Sequence, residues 1–252
     1  MPNKHGIKII KLPRSPSVLI ILMGSLGDVV RGLCLIEQIK SLYPQSRITW
    51  LVEPKWADLV RQHPLLDEVL VFDRANWKKG LPSLYKQLRK KHFDCVLDLQ
   101  RHLKSGLFSF LSRARYRIGF HPKNCKEVNW LFNNHYIEYQ NEYYPKIFHY
   151  FKFIESLGLP RTQHLDFGLS NLDVQTLNPY LASLLGPSYL VIILGSTWKT
   201  KEWFYQSYLT LVQGLLESTD LQIVLLDTKA KQGMASKLAS EINNPRLLNL
   251  VG

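Results

Sequence analysis

Along the chain, apolar runs of four to six residues alternate with stretches whose apolar positions recur every three or four residues. The run 18–23 is followed by a glycine turn at Gly24 and then by a helical period that begins near Val29. Residues 47–52, bounded by Pro44 and Pro54, predict a second strand, and 68–72, 94–99 and 116–120 predict three more. Helices are expected around 56–61, 81–91 and 103–111. The stretch 124–144, rich in Asn, Tyr and charge, has no dominant period and reads as a connection or an acceptor-side loop. Residues 147–157 are again helical and stop at Gly158, with Pro160 just beyond.

A second alternation follows, with strands at 189–194, 221–226 and 247–251 and helices at 206–216 and 232–242. Strands that alternate with helices predict parallel sheets with helical crossovers. The expectation is an α/β chain of two Rossmann-like domains facing a cleft: 1–160, a linker region 161–187, and 188–252. With about three strands, where open sheets usually carry about five or more, the second domain is expected to be incomplete.

A chain of 252 residues with 46% hydrophobic content buries substantial cores. No apolar run approaches the roughly 18 residues of a membrane-spanning helix, and 18–23 is short for a secretory signal. Cys34, Cys95 and Cys125 are odd in number and far apart, which fits a reduced cytoplasm better than a disulfide framework or a zinc site, with Cys34 and Cys95 expected in the core. Charge changes the picture more. Residues 1–125 carry 22 Lys and Arg against 9 Asp and Glu, whereas 126–252 carry 10 against 11. The basicity belongs to one half and points to an anionic partner: nucleic acid, anionic lipid or a phosphorylated sugar. Zinc-finger spacing, a helix-turn-helix and an RNP-like aromatic motif are all missing, so no specific nucleic acid partner is expected.

Gly24-Ser25-Leu26-Gly27-Asp28 is the densest candidate chemistry. A strand, a glycine turn and a helix N-terminus favour an anion, yet a carboxylate at that corner repels one. Asp28 therefore reads either as a base aimed at a hydroxyl or as the helix N-cap. Gly24 and Gly27 give G-x-x-G rather than the G-x-G-x-x-G of dinucleotide binding, which argues against a nicotinamide enzyme.

Several segments taken together resemble glycosyltransferase family 9, the ADP-heptose:lipopolysaccharide heptosyltransferases. They are Ser25-Leu26-Gly27-Asp28-Val29 after a strand, His63-Pro64-Leu65-Leu66-Asp67-Glu68-Val69, and Phe93-Asp94-Cys95-Val96-Leu97-Asp98-Leu99-Gln100 with Lys104-Ser105. Further matches are Arg117-Ile118-Gly119-Phe120, His149 ahead of Phe153-Ile154-Glu155-Ser156-Leu157-Gly158-Leu159, Gly195-Ser196-Thr197, and Lys201-Glu202-Trp203.

The resemblance implies a GT-B fold and an inverting, metal-independent transfer of heptose from ADP-heptose to the lipopolysaccharide inner core, with no cofactor. Asp28 is then the general base, and Lys201 contacts the donor phosphates with Ser196 and Thr197 beside them. The acceptor is expected against the basic N-terminal domain, with Gly27, Arg61, Arg101, Lys104 and Arg117 as binding candidates, joined by Arg113, Arg115 and Lys123. The chemistry fits these types: displacement at a sugar carbon needs a carboxylate near the acceptor hydroxyl and a cation near the departing diphosphate. The implied setting is cytoplasmic, with peripheral contact on the anionic face of the inner membrane.

Three departures qualify the match. Asp227-Thr228-Lys229 stand where the family usually has glycines, and Arg101 stands where glycine is common after D-x-Q. The family's later D-S/T-G-x-x-H element has no counterpart in these 252 residues. The expectation is a transferase cut short at its C-terminus, or else a non-catalytic descendant that binds phosphorylated glycolipid through its basic half.

Overall fold

Alternation along the strands builds the first unit. Val18, Ile20 and Leu22 enter one hydrophobic layer while Leu19, Ile21 and Met23 enter the opposite one, as the two-residue period of a strand requires. In the computed structural model, which describes residues 9–160, 165–169, 183–196 and 199–252, the chain divides into units 1–172 and 173–252. The division falls inside the stretch 161–187, most of which lies outside the described residues.

In the first unit, strands β1 (Ser17–Ile21), β2 (Arg47–Val52), β3 (Glu68–Val71), β4 (Cys95–Asp98), β5 (Tyr116–Gly119) and β6 (His135–Tyr136) form one parallel sheet ordered β3-β2-β1-β4-β5-β6. This is the doubly wound order in which the chain reverses direction beside β1, so that the carboxyl ends of β1 and β4 open a crevice. Helices α1 (Leu26–Leu42), α2 (Pro54–Arg61) and α5 (Lys146–Ser156) cover one face through Leu33, Ile36, Val60 and Phe153; α3 (Trp77–Lys90) and α4 (Leu103–Leu111) cover the other through Leu84, Leu88 and Phe108. Trp50 is fully buried and gives its indole N–H to the Leu22 carbonyl at 3.0 Å. Cys34 and Cys95 are buried, and burial pushes the Cys34 thiol up to about 12 and Cys95 higher still, so neither is a nucleophile near neutral pH.

Two elements differ from the sequence pattern. β6 lies within 124–144, the stretch read as a connection; its two residues pair with Ile118 and Gly119, too few to leave a period. Helix α3 starts at Trp77, four residues ahead of the expected 81, and runs through Pro82. Proline is favoured in a helix's first turn, yet here it lies in the second turn, and the residues ahead of it, Trp77-Lys78-Lys79-Gly80, carry no apolar period that marks the start.

In the second unit, β7 (Tyr189–Ile193), β8 (Gln222–Leu226) and β9 (Leu247–Asn249) form a parallel sheet in that order. Helices α6 (Tyr205–Ser218) and α7 (Gln232–Ile242) pack on it through Tyr208, Val212, Leu216, Ala235 and Leu238. No helix of the described residues is long and apolar enough to cross a membrane.

Two helical glycines make opposite predictions. A Cβ at Gly106 in α4 would lie 2.9 Å from the Asn129 carbonyl oxygen and 3.0 Å from the Phe132 ring, whereas one at Gly214 in α6 meets nothing within 4 Å. Helix propensity favours alanine at both by about 1 kcal/mol. Gly214→Ala is expected to stabilise by about 0.5–1 kcal/mol, and Gly106→Ala to destabilise by about 1–3 kcal/mol through overpacking. Urea unfolding of the two variants checks both signs.

Candidate active site

Asp28 sits in the first turn of α1, at the carboxyl end of β1. The N-cap is Ser25, which corrects the alternative reading of Asp28 as the cap. Ser25 turns its hydroxyl to Asp28 Oδ2 at 3.2 Å instead of to a backbone amide. Arg31, one turn on, donates to Asp28 Oδ1 at 2.8 Å. From α5, Lys146 Nζ reaches both carboxylate oxygens, at 3.0 and 3.3 Å, and Tyr150, one turn later on the same helix, lines the cavity beside the carboxylate. Burial by itself would raise the Asp28 pKa, but Arg31 and Lys146 outweigh it, and the carboxyl lies below its ordinary value. Burial and the Asp28 charge push the Tyr150 hydroxyl well above its own.

The loop ahead of α1 is held from β4. The Gln100 side chain accepts from the amides of Met23 at 2.8 Å and Gly24 at 3.3 Å, and donates to the Gly24 carbonyl at 2.9 Å. Gln100 is itself seated by Asp98, whose Oδ1 accepts the Gln100 backbone N–H at 3.2 Å. Asp98 is fully buried and also accepts from the side-chain amides of Asn129, at 2.7 Å, and Asn133, at 3.3 Å. Burial pushes its carboxyl up, while these donors and the Ser105 hydroxyl pull the other way.

Arg101 follows with φ +68°, the left-handed conformation in which glycine is at ease. The turn thus takes a glycine-like conformation although the residue here is arginine. Its guanidinium lies over the Phe120 ring, 5.3 Å from the centroid. A cavity of about 200 Å³ opens here, lined by Ser25, Asp28, Gln100, Arg101, Lys126 and Lys146, with His149 and Tyr150 at its wall. His149 is buried, which lowers its pKa, and it meets the Asn141 carbonyl at 3.2 Å. The chamber therefore holds one carboxylate among several cationic or neutral donors, an arrangement suited to a polar, anionic ligand with a hydroxyl to be deprotonated.

Among the residues singled out from sequence, the cavity gathers Asp28 and Arg101. Gly27 lies in the same turn, off the lining, with space beside it occupied by the Arg31 guanidinium at 3.4 Å from a would-be Cβ. Arg61 pairs with Asp58 at 2.7 Å on α2, and Lys104 is exposed on α4. Arg117 gives one N–H to the carbonyl of Phe132, at 3.0 Å, and one to that of Ala114, at 2.9 Å, and so ties β5 to the turn at Asn129–Phe132. Arg113, Arg115 and Lys123 are exposed, off the lining. Lys126, Lys146 and Tyr150 were not found from sequence, and the one available signal was that Lys146 and Tyr150 share a helix face by their four-residue spacing.

In the second unit Ser196 follows β7, with its amide 3.4 Å from Glu202 Oε1. Lys201 ends the exposed turn Lys199–Lys201, and Thr197 lies outside the described residues. Glu202 pairs with Lys231 at 2.6 Å, and that bond holds its carboxyl below the ordinary value. A Cβ at Gly195 would come 2.6 Å from Lys231 Cε and 2.9 Å from Asp227 Oδ2. Glycine here lets the Lys231 and Asp227 side chains lie close against this turn.

A doubly wound parallel α/β unit followed in the same chain by a second, three-stranded parallel α/β unit is consistent with a GT-B type architecture. The family model described as glycosyltransferase family 9 (heptosyltransferase) matches residues 81–252, and the chain belongs to that family. The chain is 26% identical over 218 residues to the lipopolysaccharide core heptosyltransferase OpsX of Haemophilus influenzae, covering 86% of this chain and 61% of that protein. It is 24% identical over 252 residues to the lipopolysaccharide heptosyltransferase 1 of Pseudomonas aeruginosa, covering 92% of this chain and 66% of that one. The chain thus spans less than two thirds of the length of these curated relatives. Among solved structures, the E. coli heptosyltransferase WaaC with ADP superposes with a TM-score of 0.75 at 22% identity, over 93% of this chain and 74% of that one.

Lys146 carries a prediction here. Lys146→Met removes one of the two cations beside Asp28, so the Asp28 pKa is expected to rise towards its ordinary value. A carbon-detected NMR titration of the Asp28 carboxyl reads that shift. The sign for stability follows: with the folded-state value depressed, the pair stabilises above the unfolded carboxyl's pKa, and the gain is lost as pH falls through the folded-state value. In Lys146→Met that acid-dependent loss shrinks.

Proposed function

We propose that the protein is a glycosyltransferase that moves heptose from ADP-heptose to the inner core of lipopolysaccharide, with inversion and without metal or cofactor, at the cytoplasmic face of the inner membrane. The observation that carries this reading is Asp28: a single ionised carboxylate at the carboxyl end of β1, inside a cavity otherwise lined by cationic and neutral groups. Membership of family 9, and curated relatives named as lipopolysaccharide heptosyltransferases, support the substrate class.

In the proposed step the acceptor hydroxyl donates to Asp28. Its oxygen attacks the anomeric carbon as the bond to the diphosphate breaks, the proton passes to the Asp28 carboxylate, and ADP leaves with its charge offset by Lys201 beside Ser196 and Thr197. Arg101, Lys126 and Lys146 would hold the acidic groups of the acceptor. Lys146, with its side chain half exposed, would move from Asp28 to the incoming anion and free the carboxylate for the hydroxyl.

Supplying ADP-heptose and heptose-deficient core lipopolysaccharide tests the reading. The expected result is ADP release that requires acceptor, survives a metal chelator and gives a product of inverted anomeric configuration. Acceptor binding without any ADP release would instead favour the non-catalytic glycolipid-binding alternative.

A further inference from the structure

The outer surface of α4 departs from ordinary helix amphipathicity. Phe108 fills the core as expected, yet Leu103, Leu107 and Phe110 form a second apolar stripe at i, i+4 and i+7 that faces away from it, with Phe110 54% exposed and Leu107 half-buried. The turn Asn129–Phe132 packs along this helix. Glu127 accepts the Leu103 amide at 2.7 Å, Gly106 lies against Asn129 and Phe132, and the rings of Phe110 and Phe132 meet at 6.3 Å between centroids. That turn adds Val128, Trp130 and Leu131, the last 59% exposed, so the apolar side chains of both elements make one continuous face.

The charge around this face is predominantly basic, with Glu127 an exposed exception whose carboxylate is engaged by the Leu103 amide and by His102 at 3.5 Å. From Leu99 to Lys126 the chain has seven Lys and Arg and no Asp or Glu. Lys104, Arg113, Arg115 and Lys123 among them are exposed. The face also runs into the cavity, since His102 and Lys126, which line it, immediately precede Leu103 and closely precede Val128.

From this juxtaposition we infer that α4 and the turn Asn129–Phe132 form a membrane-docking surface that seats the protein on anionic phospholipid, with the mouth of the Asp28 cavity at the lipid boundary. Apolar side chains inserted at the headgroup level, with basic residues around them, are what an interfacial protein surface uses. Isolated exposed leucines need no explanation, but a contiguous apolar face bordered by a stretch with seven basic residues, against the one exposed carboxylate of Glu127, is complementary to a negative bilayer. The inference rests on the proposed lipid-borne acceptor for its purpose. Its test uses neither donor nor acceptor, so the two readings fail separately.

The test is co-sedimentation of the full chain with vesicles in which about a third of the lipid is phosphatidylglycerol. Wild type is expected to pellet with these vesicles at low salt, to bind neutral phosphatidylcholine vesicles weakly, and to be released as salt rises. The double substitution Leu103→Asp and Leu131→Asp is expected to weaken binding by at least about tenfold. Aspartate suits the first turn of α4, and circular dichroism reports whether the fold is kept. Leu131→Asp alone gives an intermediate loss, and Leu65→Asp, at an exposed leucine between α2 and β3, leaves binding as in wild type. Wild type that remains in solution, or a double variant that pellets like wild type, overturns the inference. So does a double variant that loses only an oligomer seen in sedimentation, which would assign the face to a second copy of the chain.

Discussion

Asp28→Asn is expected to lower the turnover number by about a thousandfold or more while leaving the fold and donor affinity in place. A general base contributes about 10²–10⁴ in rate, and an amide cannot take the hydroxyl proton. The substitution is close to isosteric. The amide oxygen still accepts from Arg31, and the cost to stability is small because both cations have side chains near half exposure. Donor binding is unaffected because Ser196 and Lys201 belong to the second unit. Turnover with saturating acceptor, measured beside ADP affinity, checks this, and wild-type turnover in Asp28→Asn would remove the residue from the mechanism.

The second large effect concerns stability. Asp98→Leu should destabilise the first unit by about 3 kcal/mol: the Asn129 amide keeps the His102 carbonyl and the Ser105 hydroxyl, but an Asn133 side-chain N–H and the Gln100 backbone N–H lose their acceptor, at about 1–3 kcal/mol for each donor left wanting. The corresponding fall in Tm is about 6–12 °C for a unit of this size. Asp98→Asn should cost less, since its oxygen still accepts one of those amides. Activity should suffer beyond the loss of folded protein, because Asp98 seats Gln100, and Gln100 holds Met23 and Gly24 ahead of Asp28. Thermal unfolding of the two variants, with turnover measured well below their transitions, separates the two consequences.

Part of this was legible in the chain. The strand 47–52 and the helices 103–111 and 232–242 coincide with β2, α4 and α7, since each combines a clean period with a proline, glycine or polar boundary. Asp28 was found because a carboxylate at a glycine turn conflicts with the anion-binding character of that turn. Lys146 and Tyr150 were not, because 118 residues separate Lys146 from the carboxylate it pairs with. Arg117 shows the converse. Its charge suggested an acceptor contact, but in the fold it lies off the cavity and two of its N–H groups bond the backbone carbonyls of Phe132 and Ala114.

Composition and periodicity determined the parallel α/β architecture, the basic character of the first unit and the carboxylate at the end of β1, because each is set by local pattern or by a sum over residues. Which basic groups surround that carboxylate, which are tied to the backbone and which apolar residues of α4 remain outside the core were decided by the tertiary structure. Those outcomes depend on helices brought together across the β1–β4 crevice, and short-range spacing along a chain carries no information about such distances.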